Sequence, residues 1–475
     1  MTPDPRTLRW VLGLAAVASF MVALDTLVVS TALSTIRQDL GASVEQLEWT
    51  VNAYNLTFAV LLLPAAAIGD RLGRRRVLAA GLAAFSLASA ACAVAPDVTT
   101  LIVARAVQGA GAAFVMPLAL ALVGAAFPPE KRGSAMGALQ GLTGLSVASG
   151  PVIGGAVAQG IDWPWIFWIN VPIGLLTVPL VLARIPESTG DRSTARIDMR
   201  GVALITLGAL GVVWGLVRGN DAGWGSAEVL IAFVAGGVFT AAFVWAQLAS
   251  RDSALLPPRL FASRAFSAGN ASSFLLVASL FSAVFFFAQY QQSGLGQDPL
   301  QAGIRLLPWT ATLFIVAPVA GKLVDRFGER PFLVAGLTMQ AAGLSWVALI
   351  ADPGLEYYKM VPALMIAGCG VSMAFPAAMN AVTGAVSPQD MGKAAGTNSM
   401  LRELGGVFGI AIAVAVFAGA GSYASAQAFV DGFAPAMGTS AALALTGAAI
   451  ALLVPARVTA PLAAAAVPQA SASTS

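Results

Sequence analysis

Apolar residues run along this chain in long blocks broken by short polar segments. Blocks of roughly 17 to 25 apolar residues, each long enough to cross a ~30 Å hydrocarbon core, recur from end to end, and about fourteen meet that length. Six fill the first half: Trp10 to Thr31, Trp49 to Ile68, Val77 to Val94, Thr100 to Val123, Ser134 to Val157 and Trp165 to Leu182. A middle pair, Gly201 to Val217 and Ala227 to Ala249, is bounded by the polar linkers Pro186 to Arg200 and Arg251 to Arg264. The last six are Ala268 to Tyr290, Gly303 to Val324, Pro331 to Ile350, Met360 to Val382, Ala394 to Phe417 and Ala436 to Val454. The pattern predicts an all-α polytopic membrane protein.

The two outer sets of spans repeat one plan. Asp70-Arg71-Leu72-Gly73-Arg74-Arg75 follows one span and Asp325-Arg326-Phe327-Gly328-Glu329-Arg330 follows another, an offset of 255 residues that also relates Gly81 to Gly336 and Asp97 to Asp352. A second block repeats at an offset of 259, pairing Pro117 with Pro376, Pro129 with Pro388, Gly133 with Gly392, Gly137 with Gly396 and Gly150 with Gly409. The middle pair has no counterpart. Duplicated sets of hydrophobic helices are the build of secondary transporters, in which two halves rock about a site near the bilayer midplane. The expected organisation is a six-helix half over residues 1–190, two additional central helices with their linkers over 191–260, a second six-helix half over 261–460, and a disordered tail over 461–475.

Composition agrees with membrane insertion and narrows the chemistry. Of 475 residues, 58% are hydrophobic and 10% charged, and the mean hydropathy is +0.81, far from the usage of soluble domains. The net charge of +3 does not point to nucleic acid, because the basic residues lie between spans rather than on one clustered face. Cys92 and Cys369 each sit inside an apolar run and read as buried small hydrophobes. Histidine is absent, which removes the usual proton relay near neutral pH and the commonest metal ligand. Any proton coupling falls on carboxylates. Placing the N-terminus in the cytoplasm puts twenty of the 26 lysines and arginines there, with only Arg37, Arg218, Arg305 and Lys359 outside and Arg105 and Arg402 within spans. Both termini are therefore expected to be cytoplasmic.

Four further fragments carry a family likeness. The first span holds Leu24-Asp25-Thr26-Leu27-Val28-Val29-Ser30-Thr31-Ala32-Leu33, the fourth Arg105-Ala106-Val107-Gln108-Gly109-Ala110-Gly111, the fifth Gly150-Pro151-Val152-Ile153-Gly154-Gly155, and the sixth Trp165-Ile166-Phe167-Trp168-Ile169-Asn170-Val171-Pro172. With the loop motifs, and in this order, the chain resembles the fourteen-helix drug:proton antiporter family of the major facilitator superfamily over nearly its whole length. Two positions depart from the family pattern: Ala66 stands where the first loop motif usually opens on Gly, and Pro164 where Arg often lies between the two Trp. The resemblance implies the major facilitator fold, export of small molecules against protons, and a role for Arg105 in coupling protonation to substrate movement.

The residues themselves suggest roles. Asp25 is the only carboxylate near the middle of the first span, and ionisable groups at such depth are expensive and mark function by default. It can bind and release a proton as its access to water changes; its alternative is a hydrogen-bonded packing or helix-break residue. Arg105, Gln108, Gly109 and Ala112 share a helix face, so Arg105 either looks into a cavity or snorkels to the interface. Arg402 and Glu403 are adjacent and point about 100° apart; Arg402, in line with Asn398, is a cavity candidate, and Glu403 a second proton site or a partner for another helix. Gly137, Gly150, Gly154 and Gly155 around Pro151 allow close helix contact and a bend. Asp70, Arg71, Gly73 and Arg74, with Asp325, Arg326, Gly328 and Arg330, read as cytoplasmic latches or as topology signals. Asn52, Asn55, Phe285, Gln289 and Trp309 suit a broad, mostly apolar pocket with few polar anchors.

Several functions are excluded. A Ser-His-Asp set cannot exist without His, and there is no phosphate-cradling Gly-x-x-x-x-Gly-Lys loop or metal cluster, so neither enzyme, cofactor nor metal is expected. The expected partners are a small-molecule substrate, protons and membrane lipids. The oligomeric state stays open, with a monomer favoured. Proton-driven export of drug-like or amphipathic compounds leads; export of one dedicated metabolite, uptake by symport, and a non-transporting receptor on the same scaffold are the alternatives.

Overall fold

A computed structural model describes residues 4–189, 198–250, 254, 256–387 and 390–456. Arg192, Arg196, Arg251, Pro388, Arg457 and the expected tail lie outside the described residues. Thirteen helices among them are long and apolar enough to cross a membrane. They are α1 (Pro5–Leu40), α2 (Val44–Leu72), α3 (Arg74–Ala93), α4 (Val98–Ala126), α6 (Trp165–Arg184), α7 (Met199–Ala222), α8 (Ala227–Ser250), α9 (Arg264–Gly294), α10 (Pro299–Val324), α11 (Glu329–Ile350), α12 (Tyr357–Thr383), α13 (Met391–Ala420) and α14 (Ala426–Ala451). A further long helix, α5 (Pro129–Gly160), stands outside that set.

Local sequence explains where the helices begin and end. Asp4 caps α1 and Pro5 supplies its first turn, so the helix starts ahead of the apolar block, and Gly41 closes it at a φ of 62°. That left-handed backbone costs Gly nothing and would strain a side chain. A reciprocal capping box between Ser43 and Gln46 opens α2, satisfying two orphan donors at once. Asp97 caps α4 by accepting from the Thr100 backbone N–H and hydroxyl. Those bonds, the backbone one first, hold its carboxyl below the usual carboxylate range. The repeated loop motif is repeated in backbone too: Gly73 and Gly328 both take positive φ, 107° and 88°, and each separates one span from the next. The expected tenth span is present as Pro299–Val324, with its hydrogen-bond ladder interrupted for one residue at Leu306 and at Ala311, on either side of Pro308, which removes a backbone donor.

Packing repeats as the sequence does. In the first set α1 packs on α5, α2 and α3 on α4, and α3 on α6; in the second α9 packs on α13, α10 and α11 on α12, and α11 on α14. The two sets meet where α2 lies against α13 and α5 against α10. Central α7 and α8 pair with each other, and α7 also rests on α2 and α13, with Trp214 of α7 beside Trp49 of α2 at 6.0 Å. Leu56, Ala59 and Val60 of α2 share a buried cluster with Met400, Leu404, Val407 and Ala411 of α13.

Candidate functional site

Asp25, midway along α1, is fully buried, yet it is not isolated. Arg105 reaches it from α4, with Nη1 donating to Oδ2 at 2.5 Å. Gln108, one turn further along α4, donates from Nε2 to Oδ1 at 2.8 Å, and Asn170 of α6 donates from Nδ2 to the same oxygen at 2.9 Å. A carboxylate holding three donors, one of them a cation, has its desolvation offset by charge-assisted bonds. The other guanidinium donors are also placed: Nη1 reaches Gln108 Oε1 at 2.7 Å and Nε the Thr50 carbonyl of α2 at 3.1 Å. Its planar face lies over the Tyr54 ring at 4.1 Å. Ser89 of α3 accepts from Gln108 and Asn170 and donates its own proton to the Phe167 carbonyl. One cluster thus ties α1, α2, α3, α4 and α6 together.

Arg105 does not snorkel; its side chain is 1% exposed and points into the bundle. Gln108, Gly109 and Ala112 are buried beside it, as the helix spacing predicts. Sequence reasoning gives no site role to Ser89, Tyr54, Thr50 or Asn170, although Asn170 lies within the sixth-span fragment that carries the family likeness. Asn170 carried a weak signal, an amide inside an apolar block next to two Trp; the Thr50 contact is through its carbonyl and has no sequence signal at all. Cys92 is buried, whereas Cys369 is only half-buried.

The remaining expected site residues divide into groups. Asn52 and Asn55 are buried on α2 with polar atoms lacking a partner. Asn398 donates to Asn270 and Ser273 of α9, while Arg402 lies over the Phe375 ring of α12 at 4.7 Å. Those two α13 side chains therefore turn to different helices. Glu403 is half-buried on the same turn. Phe285 is buried against Phe286, and Gln289 is held by the Phe285 carbonyl and the Tyr423 hydroxyl. Trp309 is buried on α10 with its indole N–H unpartnered. The structure does not draw all of these into one pocket around Asp25.

The loop motifs make contacts within their own ends of the bundle. Asp70 takes Arg74 Nε at 2.7 Å, and Arg75 and Arg76 flank Glu187, after α6, at 3.6 and 3.7 Å. Arg71 is half-buried. Arg326 lies over Phe327, and Arg330 is half-buried; the side chain of Asp325 falls outside the described residues.

The glycines of α5 are used unequally. A side chain at Gly150 would meet Leu27, one at Gly154 the Val28 carbonyl and Thr31, and one at Gly155 the Pro299 carbonyl of α10, while Gly303 of α10 rests on the Pro151 carbonyl. Gly137, expected among them, has open space around it. The contact between α5 and α10 gathers on the first turns of α10. There Gln292 also donates to the Thr31 carbonyl and Gln159 accepts from the Leu300 N–H. The seam is thus closed at the end of the bundle carrying the α1–α2 turn. Gly155→Leu is expected to force α5 off α10 and lower substrate export at least about tenfold, since overpacking a backbone contact costs about 1–3 kcal/mol or more. Gly137→Ala is expected to melt no lower than the parent, because Ala is the better helix former. Transport assays and thermal melting of the purified variants check both.

The comparisons with known proteins agree with this architecture. The sequence matches the Major Facilitator Superfamily over residues 15–409 and again over 270–474, two matches that overlap as a duplicated chain would. It is 33% identical over 398 residues to a tetracenomycin C resistance and export protein of Streptomyces glaucescens, covering 84% of this chain and 73% of that one. It is 32% identical over 426 residues to the puromycin resistance protein pur8 of Streptomyces alboniger, covering 88% and 83%. A crystal structure of the peptide transporter POT in complex with sulfate superposes with a TM-score of 0.67 at 15% identity, covering 96% of each chain, which speaks to the fold alone. With its duplicated helix packing, its buried Asp25–Arg105 cluster and a family match along nearly its whole length, this multi-pass membrane protein belongs to the major facilitator superfamily.

Proposed function

We propose that the chain exports drug-like or amphipathic small molecules across the cytoplasmic membrane in exchange for protons, by alternating access. Both termini face the cytoplasm, and the halves over 1–190 and 261–460 rock against each other about the α2–α13 and α5–α10 seams. One observation carries the reading. The α1 segment that presents Asp25 to Arg105 is the same segment, Leu24 to Thr31, on which Gly150 and Gly154 of α5 pack, and the next residue of α5, Gly155, packs on α10 of the other half.

A proton arriving at Asp25 removes the charge that holds Arg105 and replaces an acceptor with a donor. The bonds from Arg105, Gln108 and Asn170 cannot all persist, so α1 loses part of its hold on α4 and α6. Because α5 lies between α1 and α10, that change reaches the seam within one layer of helices. The seam is closed at the α1–α2 end, which corresponds to an inward-facing state, and the loop motifs, with Asp70 held by Arg74 of its own loop, are then in the released form of a latch. Glu403, next to Leu404 of the α2–α13 contact, is a second carboxylate that can take part.

A second reading, export of one dedicated metabolite, draws on relatives named for single compounds, tetracenomycin C and puromycin. Proteoliposomes holding the purified chain, given an imposed pH gradient and screened over lipophilic cations, neutral drugs and single natural products, separate the readings. Uphill movement of several unrelated compounds is the expected result. Movement of one compound supports the dedicated exporter, and transport that ignores the pH gradient removes proton coupling.

A further inference from the structure

Three carboxylates of α1 and α2 are treated differently by their surroundings. Asp25 has Arg105. Glu45, on the first turn of α2, has Arg218 of α7 at 3.2 Å. Glu48, one turn further in, has no cation among the described residues, although it is 0% exposed. Its Oε1 accepts from Asn52 Nδ2 at 2.9 Å, and its Oε2 has no partner.

The same face of α2 continues the pattern. Residues 48, 52 and 55 fall on one side of a helix. Asn52 is 0% and Asn55 1% exposed, and Asn52 Oδ1 and both polar atoms of Asn55 have no partner. Neighbouring directions on α2 fix where this face looks. Tyr54 turns to α1, its hydroxyl donating to the Val22 carbonyl, and Leu56 turns to α13. Glu48, Asn52 and Asn55 lie between, on the arc of α2 that runs from its contact with α1 round to its contact with α13 of the other half. Four buried polar atoms left open on one helix face run against the rule that such groups are paired, and a carboxylate with one hydrogen bond and no counter-charge is the costliest of them.

We propose that Glu48, with Asn52 and Asn55 beyond it, forms a binding site for a protonated amine on the route between the halves, separate from the Asp25–Arg105 cluster. An ammonium supplies what the face lacks: a positive charge for Glu48 and donors for Glu48 Oε2 and Asn52 Oδ1, while the Asn55 amide, about 10 Å along the helix from Glu48 at 1.5 Å per residue, takes a polar group elsewhere on the molecule. Asp25 cannot serve this purpose, because its oxygens already hold Arg105, Gln108 and Asn170. The inference rests on the exporter reading in taking the space between the halves as the substrate's route.

The test compares 4-phenylbutylamine with its uncharged N-acetyl derivative, titrated calorimetrically at pH 7 into the full chain in detergent. The parent is expected to bind the amine at least about tenfold tighter than the derivative, a factor that one charge-assisted contact supplies. Glu48→Gln, which keeps the size and the Asn52 contact, brings the two affinities to within about twofold, and Glu48→Asp keeps the preference. Should the Gln variant not yield folded protein, Glu48→Met, which takes the charge off the buried face at similar side-chain length, is expected to bring the two affinities together in the same way. Equal binding of the two compounds by the parent, no binding of the amine, or a preference untouched by these variants overturns the site. The two readings fail separately. Amine preference in detergent without pH-driven transport in liposomes refutes antiport and leaves the site standing, and pH-driven export without the preference refutes the site alone.

Discussion

Asp25→Asn is expected to reduce pH-gradient-driven export to background while the protein still inserts and purifies. The substitution keeps the shape of the side chain and one acceptor oxygen, but it removes the only group in the cluster that can alternate between charged and neutral. Guanidinium groups do not give up their proton in proteins, and Gln108, Asn170 and Ser89 do not titrate. With no proton to carry, the cluster has one state, and a gradient has no differential interaction through which to shift the equilibrium between inward and outward forms. Counterflow of substrate without a gradient should survive, since it needs only that the halves exchange. The readout is paired: gradient-driven uptake into inverted vesicles and substrate counterflow in the same preparation. Gradient-driven transport within about twofold of the parent would move the proton site away from Asp25, with Glu403 next to be tested.

The second large effect is at Arg105. Truncation to Ala leaves Asp25 buried without its cation, and breaking one side of a buried pair costs about 3–5 kcal/mol. It also opens a void under Tyr54 and frees the Thr50 carbonyl. Loss of transport together with a lower melting temperature is therefore expected. Lys is the informative comparison. It retains the charge but has neither the Nε donor that reaches Thr50 nor the planar face that lies on Tyr54, and a lost hydrogen bond from a charged group is worth about 1.5–3 kcal/mol. Arg105→Lys should fold, yet transport at least about tenfold more slowly. A Lys variant that transports at the parent rate would mean that charge alone is needed; an Ala variant that does so would remove the cluster from the mechanism.

Both predictions concern residues that are conspicuous along the chain, and the reason is local. A charged residue in the middle of an apolar block draws attention whatever surrounds it in space, so Asp25 and Arg105 are legible in the sequence alone. The helix period likewise places Gln108 with Arg105, and blocks of apolar residues mark the spans and their duplication. Glu48 is not conspicuous. It stands close to the polar segment ahead of α2, beside Glu45, where a carboxylate reads as an ordinary solvated cap.

What the sequence by itself determined was the length and number of apolar blocks, the offset between the two halves, the glycines of the loop turns, and which ionisable groups lie deep. Hydropathy and helical period are properties of neighbouring residues, and those features need nothing more. Tertiary structure decided the partners. Arg105 meets Asp25 across 80 residues and Asn170 meets it across 145, while Arg218 takes Glu45 across 173 and Glu48 has no cation among the described residues. It decided also that Gly155 serves the seam and Gly137 does not. Each of these outcomes depends on how helices are rotated and tilted against one another, which is set by the summed packing of many side chains from distant spans and is not encoded in any one window of the chain.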